Sequence, residues 1–132
     1  MKWMLLFVLA LVVDDGVRTT WDGVYSEAQA ARGRTLYNRE CASCHAASMT
    51  GGEMAPPLAG GEFLSNWNGL TAAELLDRMR GTMPLNKPKS LSRQTNADIL
   101  AYMFSVNGFP AGSTELPIDA EVLKQIRIEA SK

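Results

Sequence analysis

Histidine occurs once in this chain of 132 residues and cysteine only twice, and all three lie within Cys41–His45. A structural zinc site of the cysteine/histidine kind is therefore disfavoured, because it needs about four ligands and no cysteine or histidine remains outside this cluster. An excess of charge of either sign is also missing. The net charge is −1, and no surface suited to nucleic acid follows from it. Low-complexity tracts and internal repeats are absent, and no run alternates with period two, so the sequence carries no strand signal. With 46% hydrophobic and 20% charged residues, the composition is that of one globular domain of all-α class.

Long apolar runs are missing as well. The longest, Trp3–Val13, would reach about 16 Å as a helix, roughly half of a bilayer core, too short for a lone span. Lys2 before it gives the outline of a secretory signal. Asp14 and Asp15 follow directly, and no small-x-small cleavage site precedes Thr20. Residues 1–20 are thus read as an export signal, or as a retained anchor, with the domain over 21–132. Either outcome makes the domain periplasmic or otherwise extracytoplasmic, touching the membrane only if the segment is kept.

Three main helices and a short fourth are expected. The first starts at Ser26, a capping box with Gln29, and runs to about Glu40. The second starts at Thr71, with Glu74 three residues on, and stops before Gly81; Ala72, Leu75, Leu76 and Met79 mark one buried face. The third begins near Thr95, with Asp98 in its first turn, and ends at Asn107-Gly108. Its face is Ile99, Tyr102, Met103 and Val106. The fourth follows Asp119, with Ile118 and Leu123 as a hydrophobic staple. Between the first two lies an irregular loop, Ala46–Leu70, rich in glycine and proline. A loop of that length needs something large to pack against.

Cys41-Ala42-Ser43-Cys44-His45 is the C-x-x-C-H pattern of covalent haem attachment. The thiols add across the two vinyl groups, the two-residue gap matches the vinyl spacing, and the histidine lies under the iron as proximal ligand. A thioredoxin-like pair would need a βαβ setting that is absent. A Cys41–Cys44 disulfide would close a very small loop and stabilise little. One haem c, held through Cys41 and Cys44 and ligated by His45, is the expectation.

The second axial ligand must come from elsewhere, and a methionine thioether suits iron in both oxidation states. Met1 and Met4 lie in the N-terminal segment. Met79 and Met103 sit on apolar helical faces, where methionine is usually core. Met49 and Met54 follow His45 too closely. Met83, in Gly81-Thr82-Met83-Pro84, is preferred, with Met79 the alternative.

The chain resembles class I monohaem cytochromes c. More narrowly, it is similar to bacterial cytochromes and haem domains that accompany quinoprotein (PQQ-type) dehydrogenases. The resemblance rests on Trp21–His45, on residues 55–60 through Trp67, on Met83-Pro84 and on residues 107–112. It implies a cytochrome c-like fold closed by a crossing of Gly33 and Tyr37 over Ile99 and Tyr102. It also implies a carbonyl from Pro56 or Pro57 on the free nitrogen of His45, and Pro57, Leu58 and Trp67 beside the haem. The Trp67 indole then serves either a propionate or the core. Two positions depart from the family pattern: Ala46 stands where many relatives have glycine, and Pro88-Lys89 where Pro-Gly is common. Lysine tolerates a positive φ poorly.

With both axial positions filled, the implied role is electron transfer between a dehydrogenase and a respiratory acceptor, an oxidase or another cytochrome, without catalysis. The alternative is a haem enzyme or a gas or peroxide sensor in which Met83 dissociates. Residues 78–93 hold Arg78, Arg80, Lys87, Lys89 and Arg93 and no acidic residue. This segment is either a solvated basic loop or a docking face for an acidic redox partner.

Overall fold

The computed structural model describes residues 17–132. The apolar run at 3–13 lies outside the described residues. Two helices dominate the architecture, α1 (Glu27–Glu40) and α5 (Arg93–Val106). They cross at Gly33, where an added Cβ would overlap the carbonyl oxygen of Asp98 and stand 3.0 Å from the Tyr102 Cβ. Only glycine lets the two backbones come this close. Tyr37 and Tyr102 meet on the same crossing, with ring centroids 5.6 Å apart. The crossing expected from the resemblance is therefore present.

Two further helices and two single turns follow among the described residues. α2 (Ala42–His45) carries the cysteine motif, and α3 (Gly61–Trp67) interrupts the long loop. α4 (Ala72–Thr82) begins with the Thr71–Glu74 capping box read from the sequence. It runs on through Gly81 to Thr82, two residues further than expected, because the backbone hydrogen bonds continue until Met83 N–H reaches the Met79 carbonyl at 2.9 Å. α6 (Ala120–Leu123) is capped by Asp119. Its expected staple is half formed at best, since Leu123 is fully buried while Ile118 is 44% exposed.

Two differences concern α1 and α5. Ser26 caps α1 by accepting from the Gln29 N–H, but the Gln29 side chain does not reach back. It bonds instead across the domain, donating to the Leu116 carbonyl at 3.1 Å and accepting from the Leu116 N–H at 2.6 Å. Helix α5 starts earlier than expected, capped by Ser92. Asp98 is consequently well inside it, buried, and accepts from Gln29, Arg32 and Gln94. α5 is buried from Asn96 to Ala101 and again at Met103 and Phe104, because α1 and α4 both pack on it. A single apolar stripe does not describe such a helix, and Val106, expected inside, is exposed.

Two short strands were also not foreseen. β1 (Arg18–Thr19) pairs in parallel with β2 (Ile126–Arg127). The next turn is tied down too. Thr20 is fully buried, and the Trp21 indole donates to the Glu129 carbonyl at 3.1 Å. Residues 18–20 are thus part of the folded body, although they precede the sequence-based boundary after residue 20. Two-residue strands are too short to show any periodicity.

Candidate haem-attachment site

The motif sits on the single turn α2, directly after the C-terminus of α1. The Cys41 N–H donates to the Tyr37 carbonyl at 2.8 Å, and the His45 N–H donates to the Cys41 carbonyl at 3.0 Å. That turn places both cysteines and the histidine within one stretch of helix. Both thiols are free; Cys44 is exposed and Cys41 half-buried. Burial, with Glu40 adding to it, pushes the Cys41 thiol up to about 11. It is therefore a neutral thiol at pH 7.

His45 is 7% exposed, and its Nδ1 lies 2.8 Å from the Pro56 carbonyl oxygen. A carbonyl can only accept, so Nδ1 carries the proton and Nε2 keeps its lone pair for a metal. The acceptor is Pro56; Pro57 has no such bond to the ring. Gly51 makes this possible. At φ 77°, its position leaves room for the chain to fold back, and a Cβ there would stand 2.7 Å from the Pro57 nitrogen. The His45 carbonyl accepts from the Gly51 N–H at 2.9 Å, closing the loop.

Ala46 and Lys89, the two departures from the family pattern, take positive φ all the same, 69° and 66°. Side chains other than glycine are strained in that region, by about 1–2 kcal/mol each. Burial, with Cys41 and Tyr102 adding, holds the Tyr37 phenol well above its ordinary range, so it stays a donor. It donates to the Ala46 carbonyl at 2.6 Å.

The methionines separate by environment. Met49 and Met103 are sealed in the protein core, and Met54 is 81% exposed. Met79 and Met83 remain, both half-buried at the end of α4. Met79 packs on the core cluster, whereas Met83 caps the helix with extended backbone and is joined by a cis bond to Pro84, where a turn begins. A Cβ at neighbouring Gly81 would meet no protein atom within 4 Å.

Leu58 is held from both sides: its N–H donates to the Met49 carbonyl, and its own carbonyl accepts from the Asn107 side chain at 3.0 Å. Asn107 also accepts from the Gly60 N–H. The sequence marks Asn107 as a helix end and as part of the stretch that carries the resemblance, and gives no sign of this staple. Trp67 is half-buried against the core, and among the described residues its indole N–H has no protein acceptor. Among the described residues no group of three or more His, Cys, Asp or Glu side chains gathers to hold a metal, and no helix is long and apolar enough to cross a membrane.

The basic segment is partly reassigned. Arg78, Arg80, Lys87 and Lys89 are exposed, and none has an ion-pair partner among the described residues. Arg93 differs: it pairs with Asp77 at 3.6 Å and donates to the Ile118 carbonyl at 2.9 Å. Its guanidinium is a brace between α4, α5 and the segment before α6, so it is not a free surface cation like the other four. Leu85, between these cations in the chain, is 71% exposed.

A family model described as cytochrome c oxidase, cbb3-type, subunit III, matches residues 28–103, more than half of the chain. The chain belongs to that family of c-type cytochromes. Among solved structures, the sulfane dehydrogenase SoxCD from Paracoccus pantotrophus is similar in fold, with a TM-score of 0.52 and 22% identity. The alignment covers 81% of this chain and 61% of that one, so the cytochrome spans about three-fifths of its structural relative. At this identity the likeness bears on the fold alone. A comparison with curated proteins finds no match.

The cytochrome is a monohaem electron carrier with the all-α cytochrome c-like fold. A c-type domain implies haem c. The residues present fit that group: two free thiols one turn from a buried imidazole, with one ring nitrogen engaged and the other available.

Proposed function

We propose that the cytochrome carries one haem c, attached through Cys41 and Cys44 and ligated by His45 and Met83, and relays electrons between a dehydrogenase and a respiratory acceptor outside the cytoplasm. The observation that carries this reading is the 2.8 Å contact of His45 Nδ1 with the Pro56 carbonyl. It leaves Nε2 as the one imidazole nitrogen in the chain that is set up as a donor to iron. Met83 is preferred to Met79 because it stands at the helix end, where the chain leaves α4 for a turn, while Met79 packs on the core. Bound haem supplies a one-electron couple, and a thioether partner raises its potential. The protein's part is to hold both ligands in place, so that little moves when the oxidation state changes.

Pro57, Leu58 and Trp67 are assigned to the haem surroundings, and the Trp67 N–H to a propionate. Export is inferred from Lys2 and the apolar run; any cleavage is placed ahead of Arg18, because residues 18–20 belong to the fold. The dehydrogenase side is the coarser reading shared by the resemblance and by the sulfane dehydrogenase relative. Docking is assigned to the exposed cations Arg78, Arg80, Lys87 and Lys89, without Arg93, and to the exposed Leu85 between them in the chain, a basic segment that suits an acidic partner.

Denatured protein from a haem-competent host, freed of non-covalent cofactor, tests the attachment. Intact mass should show one haem per chain, and loss of haem from a Cys41→Ser, Cys44→Ser double variant should follow. A chain that sheds its haem on denaturation contradicts the assignment.

A further inference from the structure

Ala46 follows His45 directly and sits at φ 69°, ψ 152°, a conformation that costs a non-glycine residue and persists only when its surroundings enforce it. Two bonds enforce it here, both to its carbonyl oxygen: the Met49 N–H at 3.0 Å and the Tyr37 hydroxyl at 2.6 Å. The first is a bond within the same loop and moves with it. The second is anchored outside. Tyr37 is fully buried on α1 with its ring against Tyr102 of α5, so its hydroxyl is fixed to the crossing at Gly33. From Ala46 the loop runs on through Gly51, whose N–H holds the His45 carbonyl, to the Pro56 carbonyl on the His45 ring.

We infer that the Tyr37 hydroxyl is a positioning group for His45: by clamping the Ala46 carbonyl it holds a strained turn shut and so keeps the Pro56 carbonyl on Nδ1–H. Phenylalanine would fill the same space, so the hydroxyl has a function separable from packing. A firm Nδ1–H···O bond makes the imidazole a stronger donor and favours ferric iron. Loosening the turn weakens that bond and raises the potential. The inference rests on His45 being the iron ligand, and the experiment keeps the two apart.

The holoprotein is compared with Tyr37→Phe, Ala46→Gly and the double variant. Tyr37→Phe should raise the reduction potential and speed solvent exchange of the His45 Nδ1 proton, followed by NMR in the ferrous state, by about tenfold, the factor of one net hydrogen bond. Ala46→Gly alone should leave both near the parent values. The double variant should return towards the parent, because glycine holds the turn without a clamp. A Tyr37→Phe protein that loses only thermal stability, with potential and exchange unchanged, overturns the inference. If Tyr37→Phe yields no folded holoprotein, recovery in the double variant supports the clamp and equal failure refutes it. His45→Ala, made alongside, reports on ligation itself: an unaltered low-spin spectrum there removes the parent reading whatever Tyr37 does.

Discussion

The imidazole of His45 and the carbonyl of Pro56, eleven residues apart in the chain, meet at 2.8 Å. The contact depends on a tight return at Gly51, where the backbone is left-handed and a side chain would press on the Pro56 carbonyl carbon at 2.8 Å. Gly51→Ala should therefore cost about 2 kcal/mol or more, from φ strain and from the collision with backbone. Denaturant titration of the holoprotein measures it. The same variant should show a raised potential, as the ring loses its acceptor. An unchanged midpoint would mean that the loop can re-route without Gly51.

Lys89 separates stability from docking. At φ 66° it is strained, its N–H donating to the Arg80 carbonyl at 3.2 Å. Lys89→Gly relieves strain of about 1–2 kcal/mol, offset in part by the freer unfolded chain. The net expectation is a gain of about 0.5–1 kcal/mol. Removing a cation from the basic segment should also slow electron transfer to an acidic partner at low ionic strength. The difference should vanish near 0.15 M salt, where the Debye length is about 8 Å. Stopped-flow rates over a salt series check this; a rate that is flat or rises with salt rules out the basic face.

The Arg32–Glu115 pair gives a pH signature. Arg32, reaching Glu115 at 2.6 Å, holds that carboxyl below its ordinary range, Ser26 contributing as a second donor. A depressed folded-state value means the stabilisation is present above the unfolded carboxylate range and is lost as pH falls through the folded value. Both partners are solvent-exposed, so the effect is small. Glu115→Gln should flatten that part of the acid limb in thermal melts over falling pH, and an unaltered limb would assign the pH dependence to other groups.

How far the chain could be read ahead of its fold depends on whether a feature is local. The attachment motif is local, and so are the caps at Ser26, Thr71 and Asp119, where a side chain bonds a backbone group two or three residues on. The Gly33 crossing was legible only through resemblance, since a mid-helix glycine says nothing of its partner. Gln29 was misread because two distant groups, Leu116 and Asp98, outbid the local box. Asp98 was misplaced into a first turn because Ser92 starts α5 earlier, and burial among Gln29, Arg32 and Gln94 leaves no periodic trace. Arg93 shows the same limit: a count of cations cannot tell a brace bound to Asp77 from a free surface cation. The Asn107 staple and the Tyr37 clamp both end on backbone carbonyls, which no residue pattern announces.

The central claim is the ligand pair, and the ferric holoprotein's weak red absorption band, which arises from iron–methionine bonding, tests it most directly. Met83→Ala should abolish the band and alter the low-spin spectrum. Met79→Ala, which empties a half-buried site, should keep the band and lose about 1–2 kcal/mol of stability, less than a fully buried methionine would. A band that survives in Met83→Ala and disappears in Met79→Ala would contradict the account and move the ligand one turn back along α4.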